Sequence, residues 1–145
     1  GPRVLIDHFG RPDPALGVED PGFQYLLTLG ATGRVWVKLS GAYRNGVAKP
    51  GERVATAAAA CLLRAFGPTR LVWGSDWPHT GFERLGSPDA ALRALSDWVP
   101  SQAARRAILI DTPRALFRFG VETDSGRAGV DARLPPSLEV SGARR

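Results

Sequence analysis

Two histidines and one aspartate stand out in this sequence because each follows an apolar run. His8 comes directly after "VLID", whereas Asp76 and His79 lie in "LVWGSDWPHT" at residues 71–80, and the chain has no third histidine. Imidazole titrates near neutral pH and also binds metals, so a His–Asp–His group suits general acid–base catalysis or metal coordination. The alternative is that the histidines cap strands and that the carboxylate of Asp76 accepts hydrogen bonds from backbone N–H groups in its turn.

Cationic and hydroxyl side chains follow similar runs. Arg11 lies just beyond His8, and Lys38, Ser40 and Arg44 lie within "VWVKLSGAYR". The guanidinium of arginine forms paired hydrogen bonds with carboxylates, so these positions are candidates for binding an anionic substrate. Lys38 needs a partner if it points inward. For the two arginines, solvated loop charges are an equally good explanation.

Three short β-rich runs must position these side chains. They end near residues 7, 40 and 76, about 33 to 36 residues apart, and helical segments fill the gaps. That spacing is typical of strand–helix–strand units with parallel strands. Because parallel α/β folds carry their chemistry at the carboxyl ends of the strands, we expect the candidate residues to meet at one edge of a sheet. The predicted strands are 3–7, 34–40 and 70–76, and the predicted helices are 21–32, 51–67, 87–99 and, as two short helices, 101–120.

Three such units are too few for a closed fold. An eight-stranded βα barrel needs about 250 residues, and bare edges of an open sheet are a feature that proteins avoid. The chain also contains no methionine. We therefore expect residues 1–120 to be the C-terminal part of something longer, or another chain to supply the missing strands. Residues 121–145 lose all periodicity, which predicts a flexible tail.

The composition argues against several classes of function. The chain is 43% hydrophobic and 23% charged, which is typical of a soluble globular domain. No apolar run approaches the ~18–20 residues of a membrane span. The net charge of +5 comes from scattered arginines rather than a compact basic stripe, which disfavours nucleic-acid binding. A single cysteine, Cys61, indicates a reducing compartment such as the cytoplasm.

Four blocks of the sequence resemble one known family. They are "VLIDHFGRPD", "VWVKLSGAYR", "RLVWGSDWPHT" and "ILIDTPRALFRFG", and together they span about residues 3–120. In that order they resemble the last three strands and the closing helix of the amidohydrolase-related (amidohydrolase 2) TIM-barrel hydrolases. The likeness is greatest to the branch of 2-pyrone-4,6-dicarboxylate lactonase and related lactone hydrolases. It implies an α/β fold in which this chain forms about strands six to eight of a TIM (β/α)8 barrel.

The resemblance also implies roles for the candidate residues. His8 would polarise the substrate carbonyl or orient the attacking water, and Asp76 would be the general base toward that water. Arg44 would hold a carboxylate of the substrate, with Arg11 as a second candidate. The positions that would help to bind substrate at the rim are Lys38 and His79.

We expect the complete barrel to hydrolyse a lactone or similar cyclic ester of an anionic substrate, and this chain alone to have little or no activity. One alternative is a zinc-dependent decarboxylase or hydratase of the same superfamily. The His-x-His pair that the family carries on strand one is absent from this chain, so whether a divalent metal such as zinc is bound stays open. Another alternative is a non-catalytic α/β module completed by dimerisation or by a partner chain.

Overall fold

The computed structural model describes residues 1–46 and 49–119, so the predicted tail at 121–145 lies outside the described residues. Within them, three strands form one parallel sheet in chain order. The three predicted strands and their parallel direction are confirmed, although each strand is shorter than its apolar run. The strands are β1, Val4–Ile6; β2, Val35–Leu39; and β3, Leu71–Trp73.

Helices occupy the segments between and after the strands, as the periodicity predicts. The start of the third helix is representative: the hydroxyl of Ser87 accepts a hydrogen bond from the backbone N–H of Ala90, and Pro88 occupies its first turn. At the C-terminal end, a single π-helical turn at Ala107–Asp111 separates the two short predicted helices. The helices are α1, Pro21–Thr28; α2, Lys49–Phe66; α3, Pro88–Trp98; α4, Gln102–Arg106; and α5, Thr112–Phe117.

The central strand β2 divides the core from the polar side of the sheet. Val37 and Leu39 are fully buried and belong to the same apolar cluster as Ala58 and Leu62 of α2. Lys38, which points to the opposite face of the strand, is partly exposed. The alternation predicted for this strand is therefore confirmed, and its second face is available for polar chemistry.

Both outer strands have an unsatisfied edge in the part of the chain that the structure describes. There, β1 and β3 each pair with β2 and with no further strand. Unpaired N–H and C=O groups on a parallel edge bind another strand readily. Among the described helices, none combines the length and the apolar character needed to cross a bilayer.

Candidate active site

The carboxyl ends of the three strands bring several polar candidates together. His8 follows β1, Ser40 follows β2, and Asp76 lies three residues beyond β3. Nδ1 of His8 lies 2.9 Å from Oγ of Ser40, and Nε2 of His8 lies 3.8 Å from Oδ1 of Asp76. Because parallel strands end at the same edge, the sheet places an imidazole, a hydroxyl and a carboxylate in one cluster.

Asp76 is held by only one of its two carboxylate oxygens. Its Oδ2 atom accepts hydrogen bonds from the hydroxyl of Tyr43 and from Nε of Arg44, each at 2.6 Å. The Oδ1 atom faces His8 at 3.8 Å, beyond hydrogen-bonding distance. The side chain of Asp76 is only 10% exposed, so solvent screens these interactions weakly. The carboxylate therefore has one oriented oxygen and one directed at the imidazole.

Arg44 is a largely buried cation that binds Asp76. Its side chain is 16% exposed, and its Nη2 atom donates to the backbone carbonyl of Thr80 at 3.3 Å. The guanidinium also lies 5.0 Å from the ring centroid of Phe82, within cation–π range. These contacts fix the plane of the guanidinium beside the carboxylate.

Three residues of the cluster adopt a backbone conformation that non-glycine residues usually avoid. His8, Asp76 and His79 have φ angles of 53°, 63° and 61°, in the left-handed region. Each non-glycine residue in that region costs of order 1–3 kcal/mol, and such residues concentrate at functional sites. The strain at both strand ends is consistent with a site that depends on the direction of these side chains.

Gly41 allows the cluster to close. Its φ angle is +57°, and a Cβ atom built there would lie 2.7 Å from Oδ2 of Asp76 and 3.2 Å from Nδ1 of His8. A contact of 2.7 Å is shorter than Cβ atoms make, so a side chain at this position would displace the carboxylate. A glycine is required at this point between Ser40 and the turn Ala42–Asn45.

Tyr43 and His79 extend the cluster behind Asp76. The hydroxyl of Tyr43 lies 2.8 Å from Nδ1 of His79. His79 is 6% exposed, so it is buried against Tyr43 and does not lie at an open rim. Tyr43 was not predicted as a site residue. The signal that identifies it is its position directly before Arg44, in a turn that follows a strand end.

The remaining candidates lie at different distances from the cluster. Nζ of Lys38 lies 2.6 Å from Oδ1 of Asp7, so this partly exposed lysine has an ion-pair partner. Arg11 is exposed and, among the described residues, makes no hydrogen bond to the cluster. The predicted site residues that the structure brings together are His8, Ser40, Arg44, Asp76 and His79.

Burial sets the protonation of His8. It lowers the pKa of His8 below the ordinary value of 6.5, against the raising effect of Asp76 and Asp7. The positive charges of Arg44 and Lys38 act in the same direction as burial. His8 is therefore neutral at pH 7.

Asp76 is ionised at the same pH. Burial alone would raise the pKa of its carboxyl, but the hydrogen bonds from Arg44 and Tyr43 and the charge of Arg44 help to outweigh burial and lower it. A neutral imidazole thus faces an ionised carboxylate, which is the protonation state that a general base requires.

The described residues do not form a metal site by themselves. Within residues 1–46 and 49–119, no group of three or more His, Cys, Asp or Glu side chains is placed to hold an ion. His8 and Asp76 supply two donor atoms, whereas catalytic zinc sites use three protein ligands. A metal at this edge would need ligands from outside the described residues.

A cavity of about 900 Å³ lies between α2 and α3, beside the cluster. Its walls include Ala57 and Ala60 of α2 and Ala91 and Ala94 of α3, and Tyr43 lines it as well. His8 and Asp76 are not among the residues that line it. The candidate site is therefore identified by the chemistry of its side chains and not by the size of this cavity.

The fold is of the α/β class, with an imidazole, a guanidinium and a carboxylate at the carboxyl edge of a parallel sheet, where such folds carry their chemistry. Within that class the chain belongs to the amidohydrolase family, whose profile matches residues 2–119. This confirms the resemblance inferred from the four sequence blocks.

Several relatives are lactone enzymes. A 4-sulfomuconolactone hydrolase of Hydrogenophaga intermedia is 40% identical over 117 residues, which cover 79% of this chain and 38% of the relative. A D-galactarolactone isomerase of Agrobacterium fabrum is 33% identical over 120 residues, covering 81% of this chain and 41% of the relative. The chain thus spans about two fifths of the length of these curated relatives.

Solved structures show the same likeness. A Pseudomonas putida protein provisionally assigned as a 2-pyrone-4,6-dicarboxylic acid hydrolase superposes with a TM-score of 0.76 at 45% identity, over 83% of this chain and 44% of that one. An amidohydrolase of Burkholderia multivorans with bound zinc superposes with a TM-score of 0.67 at 28% identity, over 81% and 44% of the two chains. The predicted α/β class is confirmed by these neighbours.

Proposed function

We propose that this chain is the C-terminal part, about strands six to eight, of a TIM-barrel hydrolase that opens the lactone or cyclic ester ring of an anionic substrate. The amidohydrolase family and the lactone enzymes among the relatives support this substrate class. The observation that carries the proposal is the separation of Asp76 Oδ1 from His8 Nε2 by 3.8 Å. At that separation Oδ1 can accept a hydrogen bond from a water molecule while Nε2 donates one to a substrate carbonyl.

In the proposed reaction, Asp76 is the general base. Its Oδ1 atom takes a proton from the water, and the water oxygen forms a bond to the carbonyl carbon of the ester. His8, with a proton on Nε2, donates a hydrogen bond to the carbonyl oxygen as negative charge develops there. The ring C–O bond then breaks, and the proton on Asp76 passes to the departing alkoxide. The net change is addition of one water to give a hydroxy acid.

Ser40 supports this tautomer of His8. It is fully buried, and its hydroxyl lies 2.9 Å from Nδ1 of the imidazole. When Nε2 carries the proton, Nδ1 is an acceptor and the hydroxyl of Ser40 donates to it. Ser40 then orients His8, instead of contacting substrate directly.

The cationic residues near the strand ends are candidates for binding an anionic substrate. Two nitrogens of Arg44 are bonded within the described residues, to Asp76 and to Thr80, which leaves Nη1 for a carboxylate of the substrate. Arg11 is exposed near the same strand end and is a second candidate. Lys38 lies in an ion pair with Asp7 and is a further rim candidate. These assignments extend the predicted binding roles to specific atoms.

The open edges of β1 and β3 support completion of the sheet by further strands. We expect those strands from the same longer chain or a partner, and we expect the isolated chain to be inactive because half of the constellation is missing. A zinc-dependent decarboxylase or hydratase is the second candidate, and the zinc bound to the Burkholderia amidohydrolase supports the metal dependence alone. The single cysteine, Cys61, favours a reducing compartment such as the cytoplasm.

The test is an assay of the complete polypeptide that contains this chain, with anionic and neutral lactones, before and after chelation of metals. Faster hydrolysis of anionic than of neutral lactones is the expected result. Hydrolysis that is lost on chelation and restored by zinc would move the assignment to the metal-dependent candidate. Failure on every lactone would overturn the proposal, and turnover by the isolated 145-residue chain would overturn its fragment part.

A further inference from the structure

The proposed reaction leaves the hydroxyl of Tyr43 without a role. This atom lies 2.6 Å from Oδ2 of Asp76 and 2.8 Å from Nδ1 of His79, and so joins two residues that follow the same strand. The ring packs 5.0 Å from that of Phe82, centroid to centroid. Tyr43 is thus held at its ring and at its hydroxyl.

The number of protons decides the direction of these hydrogen bonds. An ionised carboxylate can only accept, so the single proton of the Tyr43 hydroxyl points to Asp76. The hydroxyl oxygen must then accept from His79, whose Nδ1 atom carries a proton. Burial, followed by the hydrogen bond to Asp76, raises the pKa of Tyr43, so the hydroxyl keeps its proton throughout the neutral range.

The surroundings of His79 restrict the hydrogen bonds that its ring can make. A Cβ atom on Gly86 would overlap the imidazole, so the ring packs directly on the backbone of that glycine. Nε2 of His79 is buried, and it has no hydrogen-bond partner among the described residues. Among the described residues, the hydrogen bond of the His79 ring is therefore the one between Nδ1 and the hydroxyl of Tyr43.

We propose that Tyr43 is a positioning residue for the general base: with its hydroxyl oriented by His79, it fixes Oδ2 of Asp76 and so directs Oδ1 at His8. Tyr43 and Arg44 are consecutive in the turn Ala42–Asn45, and both donate to the same oxygen. A carboxylate with two donors on one oxygen has a fixed plane. The kinetic consequences of this inference rest on the proposed function, whereas the hydrogen-bond chain itself does not.

The first experiment is kinetic and uses Tyr43→Phe in the complete polypeptide. Loss of a hydrogen bond to a charged group predicts a fall in kcat of roughly 10- to 100-fold. KM is expected to change by less than about twofold, because Tyr43 does not contact substrate in this arrangement. Tyr25→Phe is the matched control, since Tyr25 is 67% exposed on α1. An unchanged kcat, or a rise in KM alone, would overturn the positioning role.

His79→Asn tests the hydrogen bond between His79 and the hydroxyl of Tyr43. Asparagine keeps an N–H donor near the position of Nδ1, and it tolerates the left-handed backbone at position 79 better than most residues. We expect kcat of this variant to fall by less than it does in Tyr43→Phe, because the amide supplies the donor that the Tyr43 hydroxyl accepts from. Activity as low as that of Tyr43→Phe would show that a donor at this position is not what Tyr43 needs from His79.

The second experiment needs no substrate. Histidines labelled with ¹⁵N report the tautomer of each imidazole in the complete polypeptide, and the signals of His79 are those that His79→Asn removes. His79 is expected in the Nδ1–H tautomer, and Tyr43→Phe is expected to change its nitrogen shifts while Tyr25→Phe leaves them unchanged. An Nε2–H tautomer would overturn the inference. Because this readout is independent of turnover, it separates failure of the hydrogen-bond chain from failure of the proposed lactone chemistry.

Discussion

Asp76 and His8 approach each other without bonding: Oδ1 of the carboxylate lies 3.8 Å from Nε2 of the imidazole. The carboxylate is held through its other oxygen, Oδ2, which accepts two hydrogen bonds of 2.6 Å. A direct ion pair between the two residues would occupy both Oδ1 of Asp76 and Nε2 of His8. The gap instead keeps a neutral imidazole and an ionised carboxylate available to a third molecule.

Replacement of Asp76 tests the base directly. Asp76→Asn keeps the size of the side chain and tolerates the positive φ angle at this position, but an amide cannot take a proton from water. General-base catalysis contributes roughly 10²- to 10⁴-fold, so kcat/KM of the complete polypeptide is expected to fall by that factor. Asp89→Asn, at an exposed position in the first turn of α3, is the control. A variant of Asp76 that keeps activity within threefold would refute its role.

Gly41→Ala is expected to lose more unfolding free energy than the strain of its left-handed backbone alone explains. Gly33 has a comparable φ angle, +70°, but open space where a Cβ would lie, so Gly33→Ala is the matched control. The control should lose about 1–2 kcal/mol of unfolding free energy from the left-handed conformation. Gly41→Ala should lose more in urea denaturation, and it should also lose activity, because its Cβ meets Asp76. Equal losses in the two variants would contradict the close packing at the site.

His8 should make stability depend on pH. Because burial lowers its pKa below 6.5 in the folded chain, the unfolded chain binds more protons between the lowered value and 6.5. The contribution to the unfolding free energy is fully present above 6.5 and is lost as pH falls through the folded pKa. Urea denaturation between pH 5 and about 8 should show this loss, and His8→Asn should reduce it. An NMR titration midpoint for His8 at or above 6.5 would disprove the burial effect.

Arg44→Lys should damage the site although it keeps the charge. The ammonium of lysine cannot bond Asp76 and the carbonyl of Thr80 in the planar geometry of the guanidinium. Loss of the hydrogen bond that lowers the pKa of Asp76 should raise that pKa, so the acid limb of the rate profile should move to higher pH. We expect kcat/KM to fall roughly 10-fold or more. Arg34→Lys, at an exposed position, should behave like the wild type, and an unmoved acid limb would count against this role for Arg44.

The elements of this fold were predictable because their signals are local. The alternation along "VWVKL" and the apolar runs around it depend only on neighbouring residues, and β2 buries Val37 and Leu39 as that pattern requires. Capping chemistry is equally local, and it placed the start of α3 at Ser87 and Pro88. The strands are shorter than their runs because pairing with β2 ends where the chain turns toward the site.

Part of the site was predictable for the same reason. Parallel strands end at one edge, so side chains that follow β1, β2 and β3 had to lie near one another, and His8, Ser40 and Asp76 do. Tyr43 lies at the same strand end, but its role was missed because residue type and spacing do not show that its hydroxyl reaches residues 33 and 36 positions away. For Lys38, the sequence predicted a partner if the side chain pointed inward; the structure leaves it partly exposed and pairs it with Asp7.

The sequence by itself determined the alternation of strands and helices, the parallel direction and the strand ends that carry an imidazole, a guanidinium and a carboxylate. Only the tertiary structure decided which oxygen of Asp76 is held and which faces His8. That choice depends on whether side chains from different strand ends lie 2.6 Å or 3.8 Å apart, and on left-handed turns at His8 and Asp76. Residue type and spacing carry no such information, because the same residues in an unstrained turn would point elsewhere.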